Sequence, residues 1–371
     1  SIEIGAKHNL DATQVEAADA FIIVRPGARL EASGSAAQLD LPGQGSVLVA
    51  GDGGSIALSS FRGLLLDGSM HAAAGGAGAS GGTLALNLEA PNYGIVGKLD
   101  LKGLAVEDAV RVPREMIVSS IQGDSGLAAD LQVGDSDPAL RYGVAKLGAD
   151  RVAAGGFDHL ALLSNGLISF DGNLDLSLGQ SLRLTASALA LADHADTATS
   201  AQVKLAAPYI RLAGTSRTQS DDHLMPNPVR GSGNGGVGAG KLGVPNVDDH
   251  ASLTLHAALI DLSNTVNVGS NGVIAQNVAD DLVVKRDAFG ELALRSSGDI
   301  RMRTAAALYT PGNLTLAGAQ IYPVSGATGK VEVGKRNVLN EYGQLATEFD
   351  PARRLTIERS GDPAAPLPAL P

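Results

Sequence analysis

The sequence predicts a largely all-β chain coiled as a parallel β-helix. Three observations carry this: a repeated phrase of alternating apolar residues, a high glycine content and a shortage of aromatic side chains. The phrase is clearest in SLRLTASALALAD from Ser181, VKLAAPYIRLAG from Val203 and LTLHAALIDLSN from Leu253. Successive side chains of a strand face opposite sides, so Leu182 and Leu184 point one way while Arg183 and Thr185 point the other. A second alternation follows each small residue: Leu189 and Leu191 after Ala186, Ile210 and Leu212 after Ala207, Ile260 and Leu262 after Ala257. The Ala is expected at a corner too tight for a larger inward side chain. With 47 Gly in 371 residues, 3% aromatics and no Trp, the core is thin and tight turns are many.

The leading apolar residues of successive units are Leu160, Leu182, Val203, Leu253, Val273, Leu292 and Leu314. Apart from the gap between Val203 and Leu253, they recur about every twenty residues. Self-similarity at that period marks a solenoid, and short β units with Gly-rich corners select the parallel β-helix over helical repeats. Stacked turns sit about 4.8 Å apart, so the inward Leu, Val, Ile and Ala of one turn lie on those of the next.

Residues 1–97 form the first β-helix segment, with the same grammar in FIIVRPGARLEASG from Phe21, GSIALSSFRGLLLDGS from Gly54 and GGTLALNLEA from Gly81. Over 98–154 the alternation fades and a partly helical insertion is expected. VPREMIVSSIQG from Val112 and DPALRYGVAKLG from Asp137 read as helical, the latter with Asp137 as cap and Pro138 at the first position. An echo links Leu10, Ala12, Val15, Ala17 and Phe21 with Leu147, Ala149, Val152, Ala154 and Phe157. The second β-helix segment spans 155–360, interrupted by a long surface loop at about 215–251. DPAAPLPALP from Asp362 lies in a Pro-rich tail, 361–371, expected to be an extended linker.

Composition narrows the function classes. No Cys is present, so there is no disulfide framework or thiolate metal site. Lys and Arg total 28 against 39 Asp and Glu, a net charge of -11. That balance offers no basic stripe for nucleic acid or a membrane surface. No run of about eighteen apolar residues occurs, so no membrane insertion is expected. The chain opens on Ser1 without a basic leader ahead of an apolar core, which reads as a fragment or a processed product.

Taken together, FIIVRPGARLEASG, GDGGSIALSSFRGLLLDGSMHAAAGGAGASGGTLALNL, RVAAGGFDHLALLSNGLISFDGNLDLSL and QVKLAAPYIRLAG resemble the large filamentous-haemagglutinin-like exoproteins of bacterial two-partner secretion. The likeness covers most of residues 9 to 333 and consists of repeat grammar, without a catalytic signature. It implies a right-handed β-helix, secretion to the bacterial cell surface through an outer-membrane transporter partner, and a role in adhesion and virulence or as the shaft of a contact-dependent toxin. The partner would be a receptor or glycan on a host or neighbouring cell. The amino-terminal secretion domain of such proteins is not recognisable, so an internal segment is expected.

Candidate sites are weighed one by one. GNGGVGAGKL from Gly233 has the skeleton of a phosphate-cradling loop in Gly235, Gly240 and Lys241. Leu242 stands where a metal-holding Ser or Thr is required, so a flexible Gly loop is the better reading. Asp and His cluster as Asp193, His194 and Asp196, as Asp221, Asp222 and His223, and as Asp248, Asp249 and His250. Three or four such groups converging would hold a divalent ion, and the last two clusters flank the long loop. Asp also crowds turns because its carboxylate bonds nearby backbone, so neither metal nor cofactor is expected. A polysaccharide-degrading enzyme is the competing class. Hydrolysis needs paired carboxylates on one face, and Asp221 with Asp222, Asp248 with Asp249, and Asp280 with Asp281 are adjacent pairs whose members face opposite sides of a strand. No catalytic residues are therefore assigned. Arg301, Arg303, Arg353 and Arg354 read as outward, solvated charges that discourage edge pairing.

Overall fold

The computed structural model describes residues 1–5, 17, 20–43, 45–88, 115–132, 135, 137–141, 143–193, 200–215, 244–273, 283–342 and 345–361. Their elements are almost all strands, with one helix, Ala149–Ala154, among the described residues. None of the described helical residues makes a span long and apolar enough to cross a membrane. Strands assemble into a 14-stranded sheet and a 6-stranded sheet, both parallel throughout among the described residues.

Three ladders organise the core. In the first, Ile56, Leu84, Leu160, Leu182, Ile210, Ile260 and Ile300 are successive in-register partners. Each is at most 1% exposed. Two residues on, Leu58, Leu86, Leu162, Leu184, Leu212, Leu262 and Met302 repeat the column. The ladder ends on Ile2 at one side and Ile321 at the other. The second ladder, in the same sheet, runs Ile22, Leu64, Ala145, Met116, Ile168, Leu189 and Val268. The third is the 6-stranded sheet, with Leu174, Val203, Leu253, Leu292, Leu314 and Leu355 in one column. Buried inward residues of all three join one apolar cluster, which Leu355, exposed on the last strand, does not enter. Burying a Leu or Ile side chain contributes roughly 1.5–3 kcal/mol, so these columns dominate the favourable side of folding.

Four long strands, Phe157–Asp171, Ser181–Leu191, Leu259–Val268 and Ile300–Thr310, carry the chain from the first ladder into the second. Register shifts between Ser164 and Leu167, and between Ser263 and Thr265, mark the corner. Asn264 and Thr304 turn it with φ of 54° and 58°, the two non-glycine residues with positive φ among those described. Their side chains also stack: Asn264 Nδ2 donates to the Gly214 carbonyl at 3.0 Å, and the Thr304 hydroxyl lies 3.2 Å from Asn264 Oδ1.

Several expectations change. The three repeated phrases occupy different parts of a circuit. SLRLTASALAL crosses from the first ladder to the second, whereas the phrases from Val203 and Leu253 cross from the third to the first. Hence the twenty-residue period mixes ladders: Leu160 and Leu182 belong to the first, Val203, Leu253, Leu292 and Leu314 to the third. Val273 lies on an antiparallel hairpin instead. Ala186 stands at one corner and Ala207 and Ala257 at another, so the phrase marks a corner without saying which. The true spacing within the first ladder is 22 from Leu160 to Leu182, 28 to Ile210, 50 to Ile260 and 40 to Ile300. Antiparallel hairpins lengthen individual circuits, as with Ala36–Leu41 paired to Gly45–Ala50 and Ser270–Val273 paired to Val283–Arg286.

The two stretches read as helical within 98–154 hold strands and turns where described, and the helix of that segment, Ala149–Ala154, follows directly after the second. Glu115–Ser119 and Val144–Gly148 pair in the large sheet, because Met116, Val118, Ala145 and Leu147 supply alternating inward residues. Asp137 does cap, accepting from the amides of Ala139 at 2.7 Å and Ala128 at 3.0 Å, but it closes a turn. The interruption expected at 215–251 stops earlier, since Val247–Ala257 is already a strand paired with Ala288–Ser296. Residues 362–371 and the rest of the long loop, 216–243, lie outside the described residues.

Candidate interaction surface

Between the two inward columns of the first ladder lies an outward position on every strand. On consecutive strands it is occupied by Arg183, Arg211, Asp261, Arg301 and Tyr322. Asp261 has a fully buried side chain, which would cost several kcal/mol for an unpaired carboxylate. Four hydrogen bonds satisfy it. Arg301 forks onto both oxygens, Nε to Oδ1 at 2.7 Å and Nη2 to Oδ2 at 3.0 Å; Arg303 Nη1 reaches Oδ2 at 3.2 Å and the Tyr209 hydroxyl donates to Oδ2 at 2.9 Å. Burial pushes the Asp261 pKa upward, but the bonds from Arg301, Tyr209 and Arg303 outweigh it and hold the carboxyl below its ordinary value. The Arg301 pKa is raised, first by its bond to Asp261. Burial and then the Asp261 charge push the Tyr209 phenol up, so it stays a neutral donor.

The network continues toward the other end of the ladder. The Arg183 guanidinium stacks over the Tyr209 ring at 5.1 Å, and its Nη1 donates to Ser181 Oγ at 2.6 Å. Ser181 Oγ lies 2.8 Å from His159 Nδ1. Burial lowers the His159 pKa, with help from Arg183 and against Asp158, leaving a neutral imidazole at pH 7. Five strands thus contribute to one polar strip. It opens to solvent at Arg301, 29% exposed, and Arg303, 52% exposed.

The outer face of the 6-stranded sheet is a second accessible surface. Asp175, Lys204, His256, Arg295 and Glu358 are exposed along it, and Arg295 meets Glu358 at 3.4 Å. Charges of both signs lie along it.

The sites singled out in the sequence fare unevenly. Asp193 meets Arg286 at 3.6 Å. Arg286 in turn forks Glu115, both bonds 2.8 Å, across 171 residues of chain; this nearly buried pair ties the hairpin strand Val283–Arg286 to Glu115–Ser119. Asp248 Oδ1 accepts from Ser200 Oγ at 3.2 Å and from the His250 amide at 2.9 Å, and Asp249 pairs with Arg353. Backbone-bonding turn chemistry therefore accounts for Asp248. Among the described residues no group of three or more His, Asp or Glu could hold a metal ion. His194, Asp196, Asp221, Asp222, His223, Gly235, Gly240, Lys241, Leu242, Asp280 and Asp281 lie outside the described residues.

Two of the arginines read as solvated, Arg301 and Arg353, need correction, whereas Arg303 is half exposed. Arg301 and Arg303 bind a buried carboxylate, and Arg353, with a side chain 16% exposed, sits between Asp249 and Asp350. Arg354 is exposed, as expected. Asp261, Tyr209, Arg183 and Arg211 were not singled out. Their signal lies in the aligned triplets LRL, IRL, IDL and IRM, whose middle letters give the outward column once the triplets are known to stack. Scans against protein-family models, curated proteins and solved structures give no match to this chain.

Proposed function

We propose that the chain winds as a right-handed parallel β-helix and serves as a segment of a secreted, cell-surface, filamentous-haemagglutinin-like exoprotein. It acts as an adhesin or a shaft by presenting an elongated surface. The observation that carries this reading is the run of in-register aliphatic columns on three ladders, joined by long strands that turn corners. A connection between parallel strands of one sheet is right-handed in about 98% of cases, which supports the hand. Nine strands of the first ladder, from Ile2 to Ile321, give a body roughly 40 Å along the stack. Mechanism here is geometry: a stiff body holds outward residues at fixed spacing. An outer-membrane two-partner-secretion transporter would export it, and a receptor or glycan on a host or neighbouring cell would be its target.

Beads coated with the full chain test the adhesin role. Adhesion to cells above an albumin control is the expected result. Beads that adhere no better than the control overturn it and leave a spacer.

A further inference from the structure

We propose that a cleft beneath the connection between Glu115–Ser119 and Val144–Gly148 binds a free amino acid with a short aliphatic side chain. These strands are parallel neighbours in the large sheet, so the chain joining them must cross back over one of its faces. The outer face is the one crossed. Leu65 points outward between the inward Leu64 and Leu66, yet it is only 6% exposed. Two residues that follow strands of the second ladder hold the crossing segment there. Arg25 Nη1 donates to the carbonyls of Ala128 at 3.1 Å and Ala129 at 3.0 Å, and its Nη2 to that of Leu131 at 2.9 Å. Asp67 Oδ1 accepts from the Ser125 amide at 2.9 Å, and Oδ2 from the Ser125 hydroxyl. Where the segment begins, Gln122 Oε1 accepts from the Gly148 amide at 2.7 Å and the Gln122 amide donates to Asp150 at 2.8 Å. One wall of the cleft is thereby fixed.

The cleft has a volume of about 60 Å³. An apolar cavity of about 150 Å³ takes benzene, so this one suits a short aliphatic group and excludes a ring. Leu65 and Val144 give it an apolar floor, and Asp67, Arg141 and Lys146 are its charged residues. Among the described residues, neither the Arg141 guanidinium nor the Lys146 ammonium has a hydrogen bond or ion pair. Each Asp67 oxygen accepts one bond from Ser125 and keeps a further lone pair. The other carboxylates around the segment bond its backbone: Asp124 takes the Gly126 amide, Asp137 those of Ala128 and Ala139, and Asp150 that of Gln122. One carboxylate and two cations over an apolar floor match the ammonium, the carboxylate and the side chain of an aliphatic amino acid. A ligand carboxylate alone would face Asp67 uncompensated, and a ligand amine alone would face Arg141 and Lys146. The zwitterion satisfies both.

The test is calorimetry on the full chain with L-valine as the probe. Isovalerate, which lacks the ammonium, isobutylamine, which lacks the carboxylate, and L-phenylalanine, which carries a ring, are the comparison ligands. Saturable binding of valine is expected, with each comparison ligand about tenfold weaker or more. Lys146→Gln and Arg141→Gln should each weaken valine about five- to tenfold, while Lys146→Arg should retain most of the binding. Both side chains are exposed and unbonded, so unchanged thermal unfolding should show that the variants keep the fold. No saturable binding of valine, equal binding of isovalerate or isobutylamine, or indifference to both glutamine variants overturns the proposal. The adhesin role is untouched by any of these outcomes, because the cleft is argued without it.

Discussion

Thr304 holds a φ of 58°, a left-handed conformation that puts a branched Cβ against its own carbonyl at a cost of roughly 1–2 kcal/mol. Its neighbour in the corner stack, Asn264, takes the same conformation with a residue suited to it. Thr304→Asn should therefore stabilise the chain by about 1 kcal/mol, seen as a higher urea midpoint with an unchanged slope. A lower midpoint would show that the Thr304 hydroxyl contributes more than its backbone strain costs. Asp261 makes the opposite case. Asp261→Asn leaves Arg301 and Arg303 without their shared anion and should cost about 3–5 kcal/mol, measured by the same titration. The sign of its pH dependence follows from the lowered pKa. The stability it adds is fully present above the ordinary carboxyl range and is lost as pH falls through the lower folded value. Asn at this position should flatten the acid limb of the stability profile.

At the scale of the element, the columns decide what matters. Leu253 is fully buried midway along the third ladder, so Leu253→Ala should cost about 2–5 kcal/mol. Ile357 occupies an equivalent column on the last strand of the same sheet but is 66% exposed, so Ile357→Ala should cost under about 1 kcal/mol. Equal losses at both sites in urea titration would contradict the stacking. Alternation made the strands from Ser181 onward legible, because period two is written in residues that sit half inside. What it left open was which ladder each strand joins, since Ala186 stands at one corner and Ala207 and Ala257 at another within the same phrase. Glu115–Ser119 and Val144–Gly148 escaped notice because the Asp137–Pro138 cap resembles a helix start and each strand is only five residues long.

For the whole molecule, the all-β character and the parallel order follow from a sequence that spends glycine on corners and aliphatic residues on columns. The polar strip was not legible, because it depends on register between residues up to 52 apart, as Tyr209 and Asp261 are. Nor could sequence spacing reveal Glu115 meeting Arg286, 171 residues away. The chain has no cysteine, so trapping can read register without background thiols. Thr254 and Ala293 are in-register neighbours on adjacent strands, and Ala293 and Thr315 are the next pair. Adjacent strands lie about 4.8 Å apart, inside the range a disulfide spans, whereas two steps, roughly 10 Å, lie outside it. The most direct test is oxidation of the folded Thr254→Cys, Ala293→Cys double variant beside the Thr254→Cys, Thr315→Cys double variant. Stacked columns predict that the first closes an intrachain disulfide and the second stays reduced; closure of the second, or failure of the first, would contradict the account.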